Sequence, residues 1–284
     1  MLEINMIYHE DCIECMKRID DKSIDLICTD LPYQQTHNYW DTTIPLKDYV
    51  TLNNKIYYET DIFELSDIMQ QSIQYTKKWF QENKNTGLWT QYERIIKDNG
   101  AIVLFANGMF TADLMKSNPK LWRYNLIWEK TQPTGFLNAK RMPLRSHEDI
   151  CVFYKKQPTY NPQKTTGHPR KVSKAEHKVN CKETTDYGQH GLTTYDSTER
   201  YPRSVWKFAK DVQKSALHPT QKPIALITEI IKTYSNPGDL VLDSCSGSCT
   251  TAVAAIVTDR NYICIENNED IFEIGKKRVD VIEQ

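Results

Sequence analysis

Three observations predict a doubly wound α/β domain with a mostly parallel sheet. Short apolar runs recur at the length of buried strands. Stretches of helical period fall between them. One run leads through a turn of small residues straight into a helix, the unit that brings backbone close to a ligand. In chain order the runs are SIDLICTD (23–30), GAIVLFA (100–106), YNLIWEK (124–130), DICVFYK (149–155), GDLVLDS (238–244) and NYICIEN (261–267). TQYERIIKDNG (90–100) reads as a helix stopped by Gly100. PIALITEIIKTY (223–234) sets Ile224, Ile227, Ile231 and Tyr234 on one stripe, and TTAVAAIVTD (250–259) is a small-residue helix suited to close packing.

Two stretches break this rhythm. Residues 42–88 are polar and aromatic, with helix expected from about Asp61, and form an insert of open role. Residues 156–215 are irregular and rich in Lys, Thr, His, Tyr and Pro, as functional or disordered segments are. The expected division is a catalytic and cofactor-binding domain, 1–155 with 216–284, interrupted by a basic region, 156–215.

At 284 residues the chain can bury a sizeable core, and 39% apolar with 26% charged residues is ordinary for a globular protein. No apolar stretch approaches the ~20 residues of a membrane span. The start, MLEINMIYHEDC, lacks the basic flank and apolar core of a secretory signal, so the expected location is the cytoplasm. Cys12 and Cys15 make a lone C-x-x-C without a zinc partner set, and the eight cysteines read as reduced, mostly buried thiols. The net charge of −1 conceals an asymmetry. Residues 1–100 carry 10 Lys and Arg against 17 acids, whereas 155–215 carry 13 against 6. A basic segment in a neutral chain points to a local polyanion contact or to a solvated polar insert.

In LVLDSCSGSCTTAVAAIV the strand ends at Asp243 and the helix opens near Thr250. The turn is neither G-x-G-x-x-G nor a G-K-[ST] phosphate loop; it opens with an acid and has no lysine, which disfavours phosphate and suits a cationic ligand. Glu266 ends the next strand, where α/β nucleotide sites place the acid that grips ribose hydroxyls. In HPTQKPIALITEII, Pro223 favours a helix start, and Lys222 adds a cation to its anion-binding end.

Together DLPY (30–33), HPTQKP (218–223) and DSCSGSCTT (243–251) resemble the amino-methyltransferases that modify exocyclic nitrogens of DNA bases with S-adenosylmethionine. The chemistry motif precedes the cofactor motif, as in the circularly permuted β-class. The resemblance implies a Rossmann-like methyltransferase sheet with an inserted target-recognition region at 156–215. It implies that Asp243, Ser244, Cys245, Gly247, Ser248, Thr250 and Thr251 cradle the methionine portion of the cofactor. Cys245 replaces the family's usual Phe, and Cys249 its usual second Gly, where glycine permits a φ that cysteine resists. Glu266, with Asn267, matches the ribose-binding acid. Asp11, beside Cys12, matches an acid near the adenine amino group, and Thr220 and Lys222 would approach the methionine carboxylate. Asp30 borders both ligands.

The amine nitrogen of a nucleobase is a poor nucleophile because its lone pair is delocalised into the ring. Two acceptors that bind its hydrogens free that lone pair. Asp30 offers a carboxylate, and Leu31 a carbonyl, pre-aimed because Pro32 keeps Leu31 extended. Tyr33 offers a stacking face for an extruded base. Orientation and charge stabilisation suffice, without a metal. Asp in the first motif position goes with adenine N6 in the family and Ser with cytosine N4, so the resemblance implies a site-specific adenine-N6 methyltransferase in a bacterial or phage-encoded setting. Cytosine N4, or a catalytically impaired DNA-binding relative, are the alternatives. Double-stranded DNA is the expected partner. Arg170, Lys171, Lys174 and Lys178 form a candidate phosphate patch, and Lys140, Arg141 and Arg145 add cations as scaffold or phosphate contacts. Tyr39 and Trp40 line the base pocket or pack in the core. The product is S-adenosylhomocysteine, and a homodimer is compatible with the resemblance.

Overall fold

The computed structural model describes residues 2–32, 41–173, 184–185, 188–189, 195–210 and 221–283. Tyr33, Tyr39, Trp40, Lys174, Lys178 and Thr220 lie outside the described residues. The chain divides into two compact units, Met1–Asn161 with Ser204–Gln284, and Pro162–Arg203.

The first unit opens with β1 Met6–His9, β2 Ile24–Thr29, a hairpin of β3 Tyr49–Leu52 and β4 Lys55–Tyr58, then β5 Ile96–Ala106, β6 Trp122–Thr134 and β7 Arg145–Phe153. The second unit holds two small antiparallel pairs, β8 Lys171–Ser173 with β11 Tyr195–Ser197, and β9 Thr184–Thr185 with β10 Gly188–Gln189. The first unit resumes with β12 Val205–Phe208, β13 Leu240–Asp243 and β14 Asn261–Glu266. Its helices are α1 Cys12–Met16, α2 Ile62–Met69, α3 Ile73–Asn83, α4 Leu88–Ile95, α5 Met109–Ser117, α6 Ile224–Tyr234, α7 Thr250–Ile256 and α8 Glu269–Glu283.

Eight strands form one sheet in the order β1, β14, β13, β2, β5, β7, β6, β12. Every pairing is parallel except those of β7 with β5 and β6. The reversal of β7 follows from its connection: residues 135–144 hold a single 3₁₀ turn, too short for the crossover that a parallel return needs. Alternation along the strands feeds two cores. Leu26, Cys28, Val103 and Phe105 face α6 and α7. Ile27, Ile102, Leu104 and Leu242 face α1 and α4 on the other side. Helices on both faces make the sheet doubly wound, as expected. Among the described residues no helix is long and apolar enough to cross a membrane.

Several elements differ from the sequence reading. Gly100 lies inside β5 and does not stop a helix; α4 ends at Ile95 and β5 begins at once. Between Ile24 and Leu26 the register of β2 slips against Ile96 and Ala101, which bulges β5. A Cβ on Gly100 would come within 2.8 Å of the Asp25 carbonyl oxygen and 2.7 Å of Ile96 Cδ1. The insert contains a hairpin that its polar composition hid. Asn53 and Asn54 both take positive φ, 49° and 60°, as a two-residue hairpin turn requires. Val50, Tyr57, Ile62, Leu65 and Phe80 give the insert a core of its own. β12 falls within the stretch read as irregular, yet it pairs with β6 in the central sheet.

The crowding at Gly100 sets a test. Gly100→Ala is expected to lower unfolding stability by about 1–3 kcal/mol, read by chemical denaturation; an unchanged midpoint contradicts the close approach.

Candidate active site

Parallel neighbours end side by side. β2 stops at Thr29, β13 at Asp243 and β14 at Glu266, and β13 lies between the other two. The loops leaving these ends, with the loop after β1, enclose a cleft of about 1090 Å³. That is slightly above the range of small-ligand sites, ~300–1,000 Å³.

The 243–251 turn forms one wall. Asp243 is buried at its start; Oδ2 accepts from the Thr251 hydroxyl at 2.6 Å and Oδ1 from the Cys245 amide at 3.2 Å. Burial pushes its carboxyl up to about 7, against the pull of these hydrogen bonds. Ser244 is braced from both sides. Its amide donates to Thr29 Oγ1 at 3.2 Å, and its hydroxyl meets the Tyr92 hydroxyl of α4 at 2.6 Å. Glu266 accepts from the Gly247 and Asn268 amides, each at 2.9 Å, so one carboxylate fixes the turn to the next strand end. Burial raises Glu266 as well, opposed by these amide bonds.

Cys249 takes the left-handed conformation, φ +57° and ψ +38°, just before α7. An L side chain there costs about 1–2 kcal/mol. The thiol fits because α8 passes with Gly275 facing it: a Cβ on Gly275 would come within 2.5 Å of Cys249 Sγ. Arg278, also on α8, donates to the Ser248 carbonyl at 2.8 Å and to Thr250 Oγ1 at 3.0 Å. The departure from glycine is thus absorbed by the helix behind the turn.

The opposite wall carries buried charge. Asp30 Oδ2 accepts from Lys222 Nζ at 2.5 Å. Glu148 Oε2 faces the same ammonium at 3.3 Å, outside hydrogen-bonding geometry, while Glu148 Oε1 is bonded to Lys130. Lys222 lies 5.0 Å over the Phe105 ring, and Lys130 lies 5.1 Å over that of Trp128. Burial raises Asp30 above the usual carboxylate range although Lys222 pulls it down. Glu148 is also penalised by burial, but Lys222 and Lys130 together carry it below its usual value. Among the described residues Asp30 Oδ1 is buried without a hydrogen-bond partner. Such a group costs stability unless something donates to it.

The cleft gathers most of the residues expected from sequence. Asp30, Leu31 and Pro32 border it beside Lys222. Asp243, Ser244, Cys245, Gly247, Ser248, Thr250 and Thr251 line the turn side. Asp11 and Cys12 enter from the loop after β1, and Glu266 and Asn267 from the end of β14. Asp11 also caps α1, accepting from the Ile13 and Glu14 amides at 2.9 and 3.1 Å. Lys222, expected at a cofactor carboxylate, sits instead on Asp30 and Glu148, and a ligand carboxylate would have to compete for it. Arg145 lines the cleft, whereas Lys140 and Arg141 are exposed beyond it. Arg170 and Lys171 belong to the second unit, where Asp196 holds the Arg170 guanidinium at 2.7 and 2.5 Å. Glu148, Lys130 and Tyr92 escaped the sequence reading, because no local pattern marks a charge or hydroxyl that acts across the sheet.

The family model described as DNA methylase, for N6 and N4 methyltransferases, matches residues 24–277. The Type II methyltransferase M2.MboI of Moraxella bovis is 26% identical over 96% of this chain and 86% of its own length. The DNA adenine methyltransferase YhdJ of Escherichia coli is 27% identical over 98% of this chain and 84% of its own. The crystal structure of the M1.HpyAVI–SAM complex superposes with a TM-score of 0.58 at 20% identity, covering 97% of this chain and 98% of that one. The family match begins at the first residue of β2 and ends in α8, taking in the strand ends at Thr29, Asp243 and Glu266; the chain belongs to the DNA methylase family of N6 and N4 methyltransferases.

Proposed function

We propose that this chain transfers a methyl group from S-adenosylmethionine to N6 of an adenine extruded from double-stranded DNA. The observation that carries the reading is the buried Oδ1 of Asp30, which has no hydrogen-bond partner among the described residues and is an acceptor waiting for a donor in a cleft it shares with the 243–251 turn. The acid-lined, lysine-free turn fits a cationic donor, and the carboxyl groups of buried Asp243 and half-buried Glu266 keep lone pairs beyond those their backbone bonds use. Aspartate in the first position of the 30–33 motif favours adenine over cytosine by resemblance, as does the printed name of the Escherichia coli relative.

When bound, S-adenosylmethionine supplies an electrophilic methyl on its sulfonium and leaves as S-adenosylhomocysteine. The residues do the rest. Asp30 Oδ1 accepts one amine hydrogen, and the Leu31 carbonyl accepts the other. Leu31 buries its side chain in the core and so is fixed in place. The nitrogen lone pair is thereby turned out of the ring toward the methyl. Lys222 holds Asp30 by its other oxygen, Glu148 faces Lys222 in turn, and Lys130 anchors Glu148. The carboxylates facing the cleft stabilise the positive charge that the amine acquires until a proton leaves. Asp11, Glu266 and Asn267 take the nucleoside end of the cofactor. The second unit, with Arg170 and Lys171, reads the target, and the reaction takes place in the cytoplasm of a bacterium or phage-infected cell. Sedimentation with and without duplex tests for a homodimer.

Incubation with duplex DNA and methyl-labelled S-adenosylmethionine, followed by nucleoside mass spectrometry, is expected to give labelled N6-methyladenine. Label in N4-methylcytosine replaces this reading with the alternative, and duplex binding without label indicates an impaired relative. Asp30→Ala is expected to lower kcat by at least ~100-fold while cofactor affinity stays within about threefold; equal losses make Asp30 structural. The Asp243 carboxyl, raised to about 7, gives a pH dependence. Its contribution to stability without ligand is greatest below the unfolded value of 3.8 and is lost as pH rises through 7. A cationic ligand favours the ionised form, so calorimetry should show cofactor affinity rising from pH 6 to about 7 and then levelling, with Asp243→Asn flat across the range. A wild-type affinity independent of pH contradicts the buried, protonated carboxyl.

A further inference from the structure

The connection between β6 and β7, residues 135–144, takes no part in the chemistry described above, yet it is a built element. Its flanking residues Thr134 and Arg145 both line the cleft, so it stands at the rim. Gly135, at φ +88°, opens a 3₁₀ turn over Phe136–Asn138. The Asn138 amide donates to the Gly135 carbonyl at 2.9 Å, and the Arg141 and Met142 amides donate to the Asn138 carbonyl at 2.8 and 3.0 Å. These bonds fold the loop on itself and leave its apolar side chains outside. Phe136 is 80% exposed, Leu137 94% and Met142 60%. Lys140, Arg141 and Arg145 are exposed among them.

Hydrogen-bonded turns that hold an aromatic and a leucine in water serve no folding purpose; clustered exposure of this kind marks a contact surface. The cations choose the partner. Apolar wedges flanked by Arg and Lys are the means by which proteins enter a base stack while holding the neighbouring phosphates. Extraction of a base into the cleft also leaves a gap in the duplex, and this loop rises from the cleft's own edge. We propose that the Phe136–Leu137 tip is a wedge that enters the DNA base stack at the target site and fills the space left by the extruded base, with Lys140, Arg141 and Arg145 on adjacent phosphates. The proposal rests on the DNA-methylation reading above and adds to it the device that opens the duplex.

The test uses the double variant Phe136→Ser/Leu137→Ser, whose positions are exposed and whose fold is checked by unchanged cofactor binding. Two duplexes carry the methylation site mapped by sequencing. One is fully paired, and the other has an abasic position opposite the target adenine. A wedge matters where stacking and pairing must be broken, so methyl transfer to the paired duplex should fall by about tenfold or more while transfer to the abasic duplex changes by less than about threefold. Equal loss on both duplexes, or no loss on either, overturns the wedge. Fluorescence anisotropy gives a reading independent of turnover. The wild type should bind duplex containing an abasic gap more tightly than intact duplex of the same length, and the variant should lose that preference. If the wild type transfers no methyl to either duplex, the functional reading fails, and this preference alone decides whether the wedge stands. Loss of self-association in the variant without any change on DNA assigns the tip to a dimer contact, and binding to anionic phosphatidylglycerol vesicles in place of duplex assigns it to lipid; either overturns the proposal.

Discussion

The site depends on one adjacency. β2 and β13 are far apart in sequence, yet they pair in parallel through Leu26 with Val241 and Ile27 with Leu242. Their ends therefore open into the same cleft. Two polar pins hold the register. Asp25 Oδ2 accepts from the Leu240 amide at 3.0 Å where the strands begin, and Thr29 Oγ1 accepts from the Ser244 amide at 3.2 Å where they end. A slip of one residue would reverse the faces of β2 and take Asp30 away from the 243–251 turn. Because both strands are buried on both faces, hydrophobic packing on either side enforces the register that sets Asp30 beside the turn.

Buried charge is the cost of that arrangement. Asp30, Glu148, Lys130 and Lys222 share a region largely withdrawn from water, and an isolated charge there would be strongly disfavoured. Paired acids and lysines, with both ammonium groups over aromatic faces, reduce the penalty. The penalty is not removed at Asp30 Oδ1, which has no donor among the described residues. Polar groups left unsatisfied in this way are a reservoir that a ligand's hydrogen bonds can discharge, so a well-placed amine gains more here than it would in water. Burial likewise raises the carboxyls of Asp243 and Glu266, at the two strand ends that border the 243–251 turn.

Much of this was legible in the residues. The strands ending at Asp30, Asp243 and Glu266 announce themselves as uninterrupted apolar runs because parallel strands in a doubly wound sheet meet no water on either face. The conformational demand at Cys249 was visible against the family pattern, but its solution was not, since Gly275 lies in a helix that no local signal joins to the turn. The direction of β7 was hidden because an apolar run carries no sign of polarity; the short 135–144 connection held that information. Gly100 was misread because the polar Lys97, Asp98 and Asn99 disguise the start of β5 as the end of a helix. The Asp30–Lys222–Glu148–Lys130 chain draws its members from separate parts of the sequence, and only the folded sheet brings them together.

The most direct measurement is a crystal structure with a short target duplex and an S-adenosylmethionine analogue that bears an amine in place of the transferable methyl. The account predicts an adenine swung out of the helix, its N6 donating to Asp30 Oδ1 and facing the analogue's amine, with the amino-acid end of the analogue along residues 243–251. An adenine still stacked in the duplex with the analogue in this cleft, or an analogue lodged away from the turn, would contradict it.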